Sequence, residues 1–276
     1  MRQLLRRATL RRMRPVRDLV DQRVRLALCQ LRRRFARDAG SRLTLDRRER
    51  WLRGSSHELW WWECWLETEE GDRWKREVQD SDRPLRDHRI VEVLRQVPHH
   101  KVSILDVGAG PATGLGYTHP EKDLSMTAID PLARQYRQML ARAGVITPVE
   151  TQPGGGESIV EQFGRESFDI SYACNSVDHS ADPIRVIQNM LIVTKRGGFV
   201  VLRHYMNEGE SAKYVGLHQW NFEIRDGVLR LWKRDEDHDL SAEFAAQADI
   251  ACMTEPSTAF DVFEWADWAV AVLHKR

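Results

Sequence analysis

Residues 104–114 read Ile104-Leu105-Asp106-Val107-Gly108-Ala109-Gly110-Pro111-Ala112-Thr113-Gly114, an apolar run that closes on alternating glycines. Val102–Val107 has the length and composition of a buried strand. Glycine directly after a strand lets the backbone turn tightly and approach a ligand with no side chain in the way. A dinucleotide loop has the same appearance, so the flanking carboxylates decide the reading. Twenty residues past Gly110 a second apolar stretch ends in Ala128-Ile129-Asp130-Pro131-Leu132. A carboxylate at that point can accept hydrogen bonds from both hydroxyls of a ribose. Asp106, two positions before the first glycine, disfavours a neighbouring pyrophosphate and suits a cofactor bearing an ammonium group.

Outward from this loop, strand and helix patterns alternate. Strands are expected at Val102–Val107, Ser125–Ile129, Ile146–Thr151, Phe168–Cys174 and Phe199–His204, with helices near Leu132–Ala143, Glu157–Phe163 and Pro183–Thr194. Such alternation predicts an α/β fold, a Rossmann-like, seven-stranded, mostly parallel sheet with helices on both faces. The last two strands fall near Ile250–Thr254 and Trp268–His274, after a helix at Ser241–Ala248. Asp226-Gly227, between Trp220–Arg225 and Val228–Lys233, is a hairpin signal and marks an insertion near 220–233.

The chain of 276 residues accommodates one such domain, at 99–276, plus a helical N-terminal extension. Residues 1–50 carry 17 Arg, no Lys and five acidic residues, a balance of +12, against −11 for the remainder. Apolar positions at helical spacing make 1–50 a basic helical arm, interrupted at Pro15. A basic arm suits an anionic membrane surface, a second copy of the chain, its own acidic body or, less well, nucleic acid. Residues 51–98 form a second unit, with six of the ten tryptophans between Trp51 and Trp74. Ser55 and Glu58 have capping-box spacing, and the tryptophans make this helical unit a packing element or a lid over a pocket. The four cysteines are scattered, which favours free thiols in a reducing cytoplasm. No apolar run reaches membrane-spanning length, which leaves a cytoplasmic chain or one held peripherally at a membrane by the arm.

Several further stretches follow the glycine loop in a recognisable order. Gly156-Glu157, Ser167-Phe168-Asp169-Ile170, Asp178-His179 with Asp182-Pro183, and Lys195-Arg196-Gly197-Gly198-Phe199 accompany Asp106 and Asp130. Over residues 100–204 the chain resembles the class I S-adenosylmethionine-dependent methyltransferases of the small-molecule type. It departs from them at Ala112, where many have a third alternating glycine, and at Arg196, where proline is common. The resemblance implies S-adenosylmethionine as cofactor, held by Asp106, Gly108, Ala109, Gly110, Asp130, Pro131, Leu132, Glu157 and Asn175. Asn175–Ser180 and Gly216–Phe222 are loosely similar to methyltransferases of bacterial polysaccharide and natural-product genes.

In-line methyl transfer needs alignment, and a hydroxyl acceptor must also lose a proton. Ligands in this fold bind beyond the carboxyl ends of the strands. His179, past the fourth strand and oriented by Asp178, is the expected general base, with His204 and His218 as further candidates. His57, His99, His100 and His274 have no such placement and read as surface residues. Asp178, Asn207 and Glu208 offer oxygen ligands, but no compact motif joins them and no metal is assigned. The expected reaction is O-methylation of a small polar acceptor such as a sugar or glycan end. Small-molecule N-methylation, nucleic-acid methylation and a non-catalytic cofactor-binding scaffold are the alternatives.

Overall fold

A computed structural model describes residues 47–257 and 267–276. The basic arm therefore lies outside the described residues, apart from its last four, which begin α1 (Arg47–Trp65). This helix runs straight through the expected capping box. Ser55 sits mid-helix, its hydroxyl donating to the Trp51 carbonyl at 2.7 Å, because helical backbone continues upstream to Arg47. The next two helices start on side-chain caps. Thr68 accepts from Gly71 N ahead of α2 (Glu69–Gln79), whose first-turn acids Glu69, Glu70 and Asp72 suit the helix dipole. Asp87 accepts from Arg89 N and Ile90 N ahead of α3 (His88–Leu94).

The strands are β1 (Lys101–Val107), β2 (Asp123–Asp130), β3 (Thr151–Pro153), β4 (Phe168–Cys174), β5 (Thr194–Tyr205), β6 (Asn221–Arg225), β7 (Val228–Lys233), β8 (Glu236–Asp239), β9 (Ala248–Glu255) and β10 (Trp268–Lys275). Seven of them form one sheet in the order β3-β2-β1-β4-β5-β10-β9. The first five are mutually parallel, and β10 runs antiparallel to both of its neighbours. The order reverses between β1 and β4, which opens a crevice at their carboxyl ends. The third strand begins at Thr151, not Ile146. Pro148 lacks a donor and Ile146 is 82% exposed, so pairing waits until Thr151 meets Ala128. The helix expected over Ser241–Ala248 shortens to Leu240–Glu243, because Ala248 already pairs with Lys275.

Period-two alternation sorts side chains onto the two sheet faces. Val102, Ile104, Ile170 and Val201 pack beneath Ile90, Val93 and Leu94 of α3. Leu105, Val107, Val200 and Leu202 face Ile187, Met190 and Leu191 of the helix Pro183–Val193. Each such aliphatic side chain, buried almost completely, stabilises the fold by about 2 kcal/mol. That helix begins with Asp182 accepting from Arg185 N and Pro183 in its first turn. The hairpin of β6 and β7 turns at Asp226 and Gly227 (φ 53° and 75°), and β8 extends it into a three-stranded sheet. Phe222, Leu229 and Leu231 of that sheet join the Ile187 side of the core. No helix among the described residues is long and apolar enough to cross a membrane.

Candidate active site

The carboxyl ends of β1, β2 and β4 border a cavity of about 1980 Å³. Its first wall is the glycine loop. Gly108 N and Ala109 N both donate to the Ile129 carbonyl (2.9 and 3.0 Å), and Gly110 N donates to Asp130 Oδ2 at 3.1 Å. These three amides are engaged within the protein, unlike those of a loop that cradles a pyrophosphate. Gly108 has φ 74°, and a Cβ there would lie 2.5 Å from Ser176 Oγ. Ala112 buries its methyl in a small cluster with Val78, Leu140 and Val145, so a side chain here is part of the packing.

Asp130 closes β2. Its Oδ1 accepts from Leu132 N at 2.7 Å, which together with the Gly110 bond fixes the carboxylate's orientation. Each oxygen keeps further lone-pair capacity for donors from a ribose. Burial pushes its pKa up to about 6, against the pull of the two amides. Asp106 is 2% exposed and lies behind the wall, and burial pushes it up to about 7. Pro131, Leu132 and Glu157 line the same side of the cavity, with Glu157 Oε1 accepting from Ala181 N at 3.0 Å. Asn175 leaves β4 in left-handed geometry (φ 48°), and its Oδ1 accepts from Tyr205 N at 3.3 Å. These residues fit an adenosine-bearing cofactor: a fixed carboxylate for the ribose, and a loop clear of side chains.

The second wall centres on Asp178, 2% exposed. His218 Nδ1 lies 3.0 Å from Asp178 Oδ2 and 3.0 Å from His179 Nε2, while His179 Nε2 is 3.5 Å from Asp178 Oδ2. Glu208 Oε1 stands 3.5 Å from His218 Nδ1. Burial opposes the charge on Asp178, yet the surrounding imidazoles of His179, His204 and His218 hold it well below the usual carboxylate range. Burial also lowers His179, with Asp178 only partly offsetting it. For His218 the carboxylates of Glu208 and Asp178 outweigh burial and push it up to about 9. Glu208 is pushed up to about 7, mainly by burial.

His179 and His218 reach the cavity, and Asp178 supports them from behind. His204 does not reach it. It is 1% exposed, stacks on Phe222 at 4.0 Å, and holds Nδ1 3.8 Å from Asp178 Oδ1, so the sheet interior encloses it. His57, expected at the surface, lines the cavity instead, with its ring 5.9 Å from that of Trp60. The reason is that α1 crosses above both walls. Trp62 lies over Gly110, where a Cβ would be 3.4 Å from its ring, and Gly54 abuts Leu217 beside His218. Trp62 also packs edge-on to Tyr136, and Trp61 stacks on Trp65 at 5.9 Å.

Glu58, Arg203 and Lys233 are among the cavity residues that escaped the sequence reading. Glu58 accepts from Trp62 Nε1 at 3.0 Å under the roof; its capping-box spacing hid it. Arg203 lies on β5 with its guanidinium 4.3 Å over Trp268, and Lys233 sits 3.8 Å over Trp220. A signal existed only for Arg203, a charge inside an otherwise apolar strand.

Residues 105–202 match the family described as a methyltransferase domain. Solved structures with similar topology include the YcgJ protein from Bacillus subtilis, at 16% identity over 67% of this chain and 97% of that one, TM-score 0.45. The CurJ carbon methyltransferase matches at 13% identity over 68% of this chain and 52% of that one, TM-score 0.47. Phosphoethanolamine N-methyltransferase 2 from Haemonchus contortus matches at 16% over 68% and 52%, TM-score 0.43; it was solved with phosphomonomethylethanolamine and S-adenosylhomocysteine. A search of curated proteins finds no match. Residues 105–202, which span β1 to β5, are a methyltransferase domain, and S-adenosylmethionine is the cofactor that such a domain implies.

Proposed function

We propose that this enzyme methylates a hydroxyl of a small polar acceptor, such as a sugar or a glycan end. One observation carries the proposal: the buried Asp178–His218–His179 cluster opens into the same cavity as the glycine loop and Asp130. Asp130 would hold the ribose, and Gly108–Gly110 would leave room for the methionine end of the cofactor. Bound there, S-adenosylmethionine supplies an electrophilic methyl: the O–CH3 bond forms as the S–CH3 bond breaks, and the electron pair returns to sulfur.

The acceptor oxygen must lose its proton as it attacks, and a positioned base typically contributes about 10²–10⁴-fold. His179 is that base, with Asp178 and His218 holding its ring. The tryptophan-rich helix α1 roofs the cavity and lowers its local polarity, which strengthens electrostatic contacts inside it. Trp61 and Trp65, which stack on each other and line the cavity, offer apolar contact to a sugar ring. The arginine-rich arm would hold the enzyme to an anionic membrane or to a second copy, and the scattered free thiols suit a reducing cytoplasm. The test is transfer of labelled methyl from S-adenosylmethionine to monosaccharides, nucleotide sugars and phenols, with the product position read by NMR. An O-methyl product is expected. Methyl found only on amines, or no turnover on any acceptor, would overturn the proposal.

A further inference from the structure

His179 Nε2, His218 Nδ1 and Asp178 Oδ2 form a triangle with edges of 3.0, 3.0 and 3.5 Å. All three atoms lie within 4.8 Å of one another, and they come from two segments 39 residues apart. A single proton on His218 Nδ1 would have to serve two electron-rich neighbours, both at 3.0 Å. A proton on His179 Nε2 instead would leave the His218 lone pair facing a carboxylate at that same distance. Either way one corner of the triangle is short of a donor. Glu208 stands at its edge with Oε1 3.5 Å from His218, and its other oxygen is buried without a hydrogen-bond partner. Buried electron-rich atoms converging in this way cost free energy unless a cation or a proton lies among them.

We infer that this triangle is a divalent transition-metal site, with two imidazole nitrogens and one Asp178 oxygen as ligands and Glu208 beside it as a further oxygen donor. Edges of this length are those of donors sharing one ion: a cation about 2.1 Å from each would sit roughly 1 Å above their plane. Two imidazoles with a carboxylate select first-row ions such as Zn²⁺, Mn²⁺ or Fe²⁺ over Mg²⁺ or Ca²⁺. The set differs from the oxygen donors considered from sequence. Asp178 and Glu208 recur, but the histidines replace Asn207, because the Gly216–Phe222 loop folds back onto the segment after β4. On the cavity side the ion keeps open positions, and an acceptor hydroxyl bound there becomes more acidic. The site deepens the proposed function and rests on its acceptor cavity. With the cation held, His179 is a ligand, and the coordinated hydroxyl gives its proton to water.

The experiment uses the full chain, stripped with chelator and dialysed, then titrated with Co²⁺ by visible absorbance and with Zn²⁺ by competition against a chromophoric chelator. One ion per chain is expected. His218→Ala and His179→Ala should each weaken binding at least 100-fold while keeping a cooperative melt and cofactor binding. Absence of binding to the wild-type chain, or binding unchanged in both variants, overturns the site. If the variants fail to fold, the wild-type stoichiometry and the Co²⁺ spectrum still decide: a spectrum without the bands of nitrogen-ligated Co²⁺ overturns it. Failure of the metal site and failure of the proposed function are separable. Chelator-insensitive O-methylation with no ion bound removes the metal and leaves His179 as base; a bound ion without hydroxyl methylation leaves the site and removes the acceptor.

Discussion

The two walls of the cavity are built in different ways. The wall proposed for the cofactor comes chiefly from one stretch, residues 106–132, in which backbone geometry does most of the work: three amides fix the loop, and one of them, Gly110 N, orients Asp130 together with Leu132 N. The wall proposed for the acceptor gathers Glu58, Asp178, His179, Glu208 and His218 from separate segments, and its chemistry lies in side chains. A local wall can be replaced only as a unit, whereas a distributed wall can lose one member and keep the rest. Substitutions on the two sides should therefore separate binding from turnover.

The largest separation is expected at His179. His179→Ala should lower kcat by about 10²–10³-fold in labelled-methyl assays, while the cofactor Kd stays within about twofold. A parallel loss of cofactor binding would mean the walls are not independent. On the other side, Asp130→Ala removes charge-assisted bonds worth roughly 3 kcal/mol in total, so calorimetry should show cofactor binding about 100-fold weaker. Gly108→Ala places a Cβ against Ser176 in left-handed backbone, and the thermal midpoint should fall by several degrees, corresponding to about 1–2 kcal/mol. A midpoint equal to wild type would show that the loop can rearrange.

The walls should also differ in their response to pH. Burial raises Asp106 to about 7 and Asp130 to about 6, so near neutrality the ionised forms oppose the fold, and this opposition fades as pH falls toward 3.8. Ribose hydroxyls favour the ionised form of Asp130, the carboxylate that lines the cavity. Cofactor affinity should therefore rise with pH through about 6 and level off above. Calorimetry across that window checks it, and an affinity that falls with pH would exclude Asp130 as the cofactor's partner. The smallest effect is expected far from both walls. Gly227→Ala (φ 75°) at the hairpin should cost about 1 kcal/mol in denaturant unfolding with no change in cofactor Kd.

The same contrast explains what was legible in the sequence. The mostly parallel sheet and the glycine loop follow from short-range signals: apolar runs, a Gly-X-Gly turn, and an acid at the end of β2. Errors at the fold level were local too. Pro148 delayed β3, and Ala248 joined β9 before its helix could extend. The acceptor wall was harder to read because it depends on which distant loops meet. His204 and His179 look alike in sequence, each at the end of a strand, but strand alternation turns His204 against Phe222 while the turn after β4 carries His179 to the cavity. Glu58 and His57 became cavity residues only because α1 folds back over Gly110, a placement for which the tryptophans suggested a lid without naming what it covers.

The most direct test of the two-wall account measures cofactor binding and methyl transfer together on Asp130→Ala and His179→Ala. The account predicts that Asp130→Ala loses binding and hence turnover at ordinary cofactor concentrations, whereas His179→Ala binds S-adenosylmethionine as the wild type does and turns over at least 100-fold more slowly. Undiminished binding by Asp130→Ala, or equal loss of binding in both variants, would contradict it.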